Sequence, residues 1–153
     1  MSDVYVLDTN VYIAALRDAH QLALLKRFSM RAGLRLRLSA VVAMELRAGA
    51  ITRLHAAAVD ALVGLFVERG SVVTPSFEAY AQAGRVLAGV HMGERMPVAS
   101  LPRSFVNDAI LASSCREAGA VLVTANARDF VTIQRHLRGF RFRSPSAVFR
   151  RPP

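Results

Sequence analysis

The segment AVLVT, residues 120–124, decides the fold class that we predict. It is continuously apolar. Asn126, a good helix-capping residue, comes two positions after its end, immediately before a helical pattern. Strands that are apolar on both faces are typical of a parallel sheet covered by helices on both sides. We therefore interpret this segment as a buried strand in the centre of an α/β protein.

Strands and helices alternate outward from this segment. Further strands are predicted at residues 4–7, 34–38 (LRLRL), 71–73 and 140–143, and a loop at residues 91–102, which contain Gly93, Pro97 and Pro102. Helical patterns occupy residues 11–16, 22–30, 39–48, 52–68, 77–90, 104–117 and 126–137. Strands separated by helices predict an α/β sandwich with a mainly parallel sheet.

The length of 153 residues is sufficient for one domain with a substantial core. We expect this domain to span residues 1–143 and to be followed by a loose basic tail, residues 144–153, which is rich in Pro and Arg. An apolar fraction of 53% excludes a disordered chain.

No apolar run is long enough to cross a bilayer, and the acidic first residues MSDVYVLDTN do not have the basic start of a signal peptide. The single cysteine, Cys115, excludes an internal disulfide and suits a reducing compartment. We expect a soluble, cytoplasmic protein that does not bind membranes.

The net charge indicates a polyanionic partner. Twenty basic residues against eleven acidic ones give a formal charge of +9, and Lys26 is the only lysine. Arginine binds phosphate in a planar, bidentate geometry, so the composition favours nucleic acid. Compositional drift toward arginine, together with an acidic protein partner, is the alternative explanation.

Two acids follow predicted strands. Asp8 stands where the first strand ends, and Asp129 lies just after AVLVT in the first turn of the next helix. Ligands of open α/β sheets bind at the carboxyl ends of the strands, so both positions are candidates for a site. The alternative is helix capping, which Asp commonly performs.

Two further acids lie in apolar helical segments, Glu45 in VVAMELRAGA and Asp108 in FVNDAILAS. The alternative interpretation is that Glu45 lies on an exposed helix face and forms an ion pair with Arg47 or Arg53. If the four acids converge, their mutual repulsion requires protonation or a divalent cation. Oxygen ligands alone favour Mg²⁺ or Mn²⁺, although spacing by itself does not prove that the acids converge.

Four segments together resemble the signature regions of PIN-domain nucleases: VLDTN (residues 6–10), SAVVAMELRAGA (39–50), FVNDAILAS (105–113) and LVTANARDF (122–130). Their order and approximate spacing match over nearly the whole chain. The ELxxGA and TxNxxDF forms and the small size are most similar to VapC-type toxins of toxin–antitoxin pairs. The segment from 91 to 104 matches the family pattern least well.

The resemblance implies a PIN-like α/β/α sandwich and Mg²⁺- or Mn²⁺-dependent endoribonuclease activity. By position, Asp8, Glu45 and Asp108 are then the main metal-binding acids, and Asp129 completes the set directly or through water. Thr9 is expected to contact a ligand water or a phosphate, and Asn126 to orient Asp129. A small antitoxin that covers the acidic cleft and a homodimer are also implied.

Three other readings stay open. A non-catalytic basic RNA-binding domain predicts binding that is indifferent to divalent metal, and a degenerate PIN domain predicts an interaction module. A receiver-like or phosphatase domain is disfavoured, because Lys26 lies in an early helix and DTN, not DxD, follows the first strand.

Overall fold

The computed structural model describes residues 3–95 and 97–150, and the side chain of residue 98 is also outside the description. Within these residues the chain forms one five-stranded sheet with the order β3-β2-β1-β4-β5. Every strand pairing in it is parallel, which confirms the predicted α/β class and parallel sheet. The strands are β1 (Val4–Leu7), β2 (Leu36–Ser39), β3 (Val72–Val73), β4 (Ala120–Val123) and β5 (Arg141–Arg143).

Helices connect the strands and cover the sheet. They are α1 (Thr9–Arg17), α2 (Ala19–Ala32), α3 (Ala40–Gly49), α4 (Arg53–Glu68), α5 (Phe77–Glu94), α6 (Arg103–Glu117), α7 (Ala127–Gln134) and α8 (Pro145–Phe149). α5, α6 and α7 pack against one another, and α2 packs against α1 and α8. Within the described ranges, no helix has the length and apolarity that crossing a membrane requires.

The sheet centre is apolar, as the sequence predicts. All four residues of β4 are buried, and β4 lies between β1 and β5. The register places Leu7 of β1 beside Val123 of β4, so both strands end at the same level. This shared end of the two central strands determines where the acids that follow them meet.

Two predicted boundaries are wrong. α5 continues to Glu94, and a short 3-10 helix forms at Val98–Ser100, so residues 91–102 are not entirely loop. Leu34 and Arg35 of the predicted LRLRL strand, residues 34–38, belong instead to a 3-10 helix, Gly33–Arg35, whose first residue ends α2 with a φ of 55°. The strand begins only at Leu36, because the glycine turn takes up the residues before it.

The prediction of a loose tail from residue 144 is also wrong over the described part. Ser144 caps α8 by accepting a hydrogen bond from the Ala147 N–H at 3.3 Å, and Pro145 opens the helix, where its missing N–H is not needed. Val148 and Phe149 are each only 5% exposed, so apolar burial holds the segment against the domain. Residues 151–153 of the predicted tail lie outside the described residues.

Candidate active site

Two neighbouring strands bring Asp8 and Asp129 to the same edge of the sheet. Asp8 follows β1, and its N–H donates a hydrogen bond of 2.9 Å to the carbonyl oxygen of Val123 at the end of β4. Asp129 lies in the first turn of α7, which follows β4. Both acids therefore lie at the carboxyl ends of adjacent parallel strands, where α/β proteins bind ligands.

The Asp8 carboxylate is buried and held from three sides. Its Oδ1 accepts from the Thr9 N–H at 2.8 Å, and its Oδ2 accepts from the Thr124 hydroxyl at 2.7 Å and from the Asn10 amide at 3.2 Å. Burial raises the pKa of Asp8, and these three donors only partly oppose that effect. A helix cap does not require the contact from Thr124, which follows a second strand. Helix capping alone therefore does not explain the contacts of Asp8.

Asp108 has a strongly perturbed carboxyl group. It lies on α6 and is 8% exposed, and its pKa is raised from 3.8 to about 8. Burial is the largest cause, followed by the negative charges of Asp8, Asp129 and Glu45 in that order. The structure therefore brings the four predicted acids, from four separate segments, within electrostatic range of one another.

Glu45 of α3 is half-buried, and its Oε1 accepts a hydrogen bond of 2.9 Å from the Thr9 hydroxyl. Thr9 thus contacts a second acid of the cluster. The alternative of a pair with Arg47 does not hold, because Arg47 contacts Asp60 at 3.2 Å. Glu45 has no ion-pair partner among the residues that the structure describes.

Asn126 connects Asp129 to the rest of the cluster. Its side-chain amide donates to Asp129 Oδ2 at 3.0 Å, and its backbone N–H donates to the Thr124 hydroxyl oxygen at 3.0 Å. The same Thr124 hydroxyl donates to Asp8. A continuous chain of hydrogen bonds therefore runs from Asp129 to Asp8.

The sequence reasoning missed two members of this network, Asn10 and Thr124. Asn10 donates to Asp8 and, at 3.3 Å, to the Thr124 hydroxyl, and its Oδ1 accepts from the Ala125 N–H at 3.2 Å. Both residues stand in segments that carry the candidate acids, directly after a strand. Their position at the strand ends was the signal that could have identified them.

The oxygen donors suit a divalent cation, but the side chains do not form a closed cage. Across residues 3–95 and 97–150, no group of three or more His, Cys, Asp or Glu side chains is arranged to hold an ion. Mg²⁺ needs only one or two carboxylates and keeps several waters, so a closed cage is not required. Burial, and after it the negative charges of Asp8, Asp129 and Glu45, raise the pKa of Asp108, and a bound cation would offset the repulsion among these acids.

An apolar groove begins beside the acids. Glu45 lines a cavity of about 210 Å³ together with Arg17 and His55, between α1, α3 and α4. An adjoining cavity of about 170 Å³ shares Leu16 and Leu46 with it. Leu16 is 67% exposed, so the groove presents apolar side chains to solvent.

Comparisons with known proteins agree with this fold. The PIN domain model of protein families matches residues 5–135. No curated protein sequence matches the chain significantly. Three similar solved chains come from DNA-bound VapBC of Salmonella typhimurium, VapBC-1 of nontypeable Haemophilus influenzae and FitAcB of Neisseria gonorrhoeae.

The sequence identities of these three chains are 23%, 22% and 17%, and their TM-scores are 0.69, 0.65 and 0.66. The alignments cover 92%, 93% and 92% of this chain and 97%, 98% and 97% of the other. At this identity they show a shared fold, whereas the family model matches most of the sequence. The chain belongs to the PIN-domain family.

Proposed function

We propose that the chain is an endoribonuclease that hydrolyses RNA phosphodiester bonds with Mg²⁺ or Mn²⁺ bound among Asp8, Glu45, Asp108 and Asp129. The observation that carries the proposal is the carboxyl group of Asp108, whose pKa is raised to about 8 by burial and by the other three acids. A divalent cation at this position offsets their repulsion. Membership of the PIN-domain family supports nuclease chemistry.

The four acids share the binding of the ion in this proposal. Asp8, Glu45 and Asp108 would hold the ion, and Asp129 would complete the set directly or through water. A divalent ion in such a site lowers the pKa of water and stabilises negative charge on phosphoryl oxygens.

The chain's own contribution is to fix the acids in place. Thr124 and Asn10 fix the Asp8 carboxylate, Thr9 fixes Glu45, and Asn126 fixes Asp129. The formal charge of +9 attracts the RNA backbone toward this otherwise acidic cleft.

The test is cleavage of a mixed RNA pool by the purified chain with Mn²⁺ or Mg²⁺, and again with EDTA. Asp8→Ala is expected to abolish cleavage, whereas Asp60→Ala removes an exposed acid of α4 outside the cluster and should retain it. Metal-dependent cutting that only Asp8→Ala abolishes supports the proposal. RNA binding without cutting, unchanged by EDTA or by Asp8→Ala, would instead establish a non-catalytic RNA-binding or degenerate module.

We further propose that the chain is the toxin of a toxin–antitoxin pair and acts in the cytoplasm. The fold shared with chains of VapBC and FitAcB structures supports this assignment. The antitoxin would lay apolar side chains into the groove at Leu16 and Leu46 and place a basic side chain near Glu45. Co-expression with the product of a small adjacent reading frame should yield a complex without RNA cleavage; separate elution of the two chains would oppose the assignment.

A homodimer is also proposed, with residues 1–143 as the nuclease unit and residues 144–153 as a basic extension. Light scattering coupled to size exclusion should give twice the chain mass of 16.6 kDa. A monomer at micromolar concentration would exclude a stable dimer.

A further inference from the structure

A third cavity, of about 350 Å³, includes in its lining Ala125, one residue after Thr124 of the acid network. It lies between α2, the loop after β4 and the C-terminal helix α8, and we name it the α2–α8 pocket. Its lining includes Gln21, Leu24, Ala125, Ser146, Phe149 and Arg150. The volume is within the range of pockets that bind small organic groups.

Hydrogen bonds connect one wall of this pocket to the candidate active site. The N–H of Ala125 donates to Asn10 Oδ1 at 3.2 Å, and the amide of Asn10 donates to Asp8 Oδ2 at 3.2 Å. Asn10 therefore bridges Ala125 in the pocket wall and Asp8, the most buried acid of the cluster. An RNA strand whose phosphate reaches Asp8 would place a flanking nucleotide within reach of the pocket.

The lining has the chemistry of a base-binding site. Leu24, which is partly exposed, supplies apolar surface for a ring, and Phe149, which is 5% exposed, adds a small part of the lining. The Gln21 amide offers a donor and an acceptor. Within the described part of the chain, the Gln21 side chain makes no hydrogen bond, so both groups are available. Among the described residues that line the pocket, Arg150 alone is cationic, whereas a phosphate site normally gathers several cationic side chains.

We propose that the α2–α8 pocket binds an unpaired RNA base next to the cleaved phosphate, and that Gln21 reads its hydrogen-bonding edge. The inference rests on the proposed nuclease function and extends it from RNA in general to selection by base. It assigns sequence preference to α2 and α8, which carry none of the four acids.

The first test maps cleavage sites in a random RNA pool for the wild type, Gln21→Ala and the control Gln82→Ala, which changes a half-buried glutamine of α5 that accepts hydrogen bonds from Arg85. The wild type should prefer one base at one position beside the cut. Gln21→Ala should weaken that preference about fivefold or more, as expected for a lost bidentate base contact, while Gln82→Ala should match the wild type. An unchanged preference in Gln21→Ala, or a lower rate with the same preference, would overturn the proposal.

The second test does not depend on cleavage. Side-chain amide NMR signals of Gln21 and Gln82, assigned from the two alanine variants, are followed while each of the four nucleoside monophosphates is added. At least one nucleotide should shift the Gln21 signal and the Ala125 backbone amide and leave Gln82 unmoved. No shift at Gln21 with any nucleotide would refute the pocket, whereas a shift in a protein that cuts no RNA would refute only the proposed nuclease function.

Discussion

The hydroxyl of Thr124 donates a hydrogen bond of 2.7 Å to the carboxylate of Asp8, from the end of one central strand to the end of its neighbour. Thr124 is 2% exposed and Asp8 is 5% exposed, so the contact is shielded from bulk solvent. The same hydroxyl oxygen accepts from the Asn126 N–H. One buried side chain therefore sets the position of Asp8 and of the loop that leads to Asp129.

Replacing Thr124 by Val keeps the shape but removes the hydroxyl. Loss of a residue that orients a metal-binding acid typically costs about 10- to 100-fold in activity or metal affinity, and we expect a loss of this size in RNA cleavage. Stability should fall by about 1–3 kcal/mol, because buried partners remain unsatisfied. Thr124→Ser, which restores the hydroxyl, should recover most of the activity; a serine variant as poor as valine would contradict the prediction, because the hydroxyl alone would then not be sufficient.

The raised pKa of Asp108 makes the stability of the metal-free protein depend on pH. Its carboxyl titrates near 3.8 when unfolded and at about 8 when folded, so between these values the unfolded state binds fewer protons. The stability that the Asp108 carboxyl contributes is therefore fully present below pH 4 and is lost as the pH rises toward 8. The loss in the free energy of unfolding is at most about 1.4 kcal/mol for each unit of difference between the two pKa values.

Urea unfolding in EDTA at pH 5 and pH 8 measures this loss. The wild type should be less stable at pH 8 by several kcal/mol at most, and Asp108→Asn should show a smaller difference between the two pH values. Equal losses in both proteins would mean that Asp108 is not the responsible group.

Divalent metal should raise the melting temperature by binding only the folded state. At a free metal concentration 100 times the dissociation constant, the free energy of unfolding increases by about 2.7 kcal/mol. Asp8→Asn should lose most of this gain in Mn²⁺, whereas Asp60→Asn, with an exposed acid of α4 changed, should keep it. A similar gain in both variants would place the bound metal elsewhere.

The helix α8 should contribute to stability, in contrast to the loose tail that the sequence predicts. Phe149 is 5% exposed and its ring centroid lies 5.0 Å from that of Phe28. Phe149→Ala should therefore destabilise the domain by about 3–5 kcal/mol. Phe77→Ala removes a ring that is 86% exposed and should cost little; a Phe149 variant as stable as this control would show that α8 does not pack as described.

The central part of the fold was predictable because its signals are local. The AVLVT segment is buried along the whole of β4, and the strand–helix alternation produced the parallel sheet. The C-terminal segment was not predictable in the same way. The composition after Ser144 is typical of a loop, and only tertiary contact with Phe28 shows why Phe149 becomes buried.

The candidate acids were predictable as a list, but their mutual arrangement was not. Their positions in the sequence singled out Asp8, Glu45, Asp108 and Asp129, and the resemblance implied their roles. Only the folded chain shows that the other three act on the Asp108 carboxyl. Asn10 and Thr124 escaped notice because their role depends on the register of β1 and β4. Spacing along one chain does not reveal register between two strands.

The most direct measurement of the central claim is the anomalous scattering of Mn²⁺ in crystals of this protein grown near pH 8. We expect one peak among the four acids, with carboxylate oxygens of Asp8 and Asp108 about 2.1 Å away or linked through one water. The peak should disappear in Asp8→Asn crystals of the same form. A peak only outside this cluster, or none at millimolar Mn²⁺, would contradict the claim that these acids form a divalent-metal site.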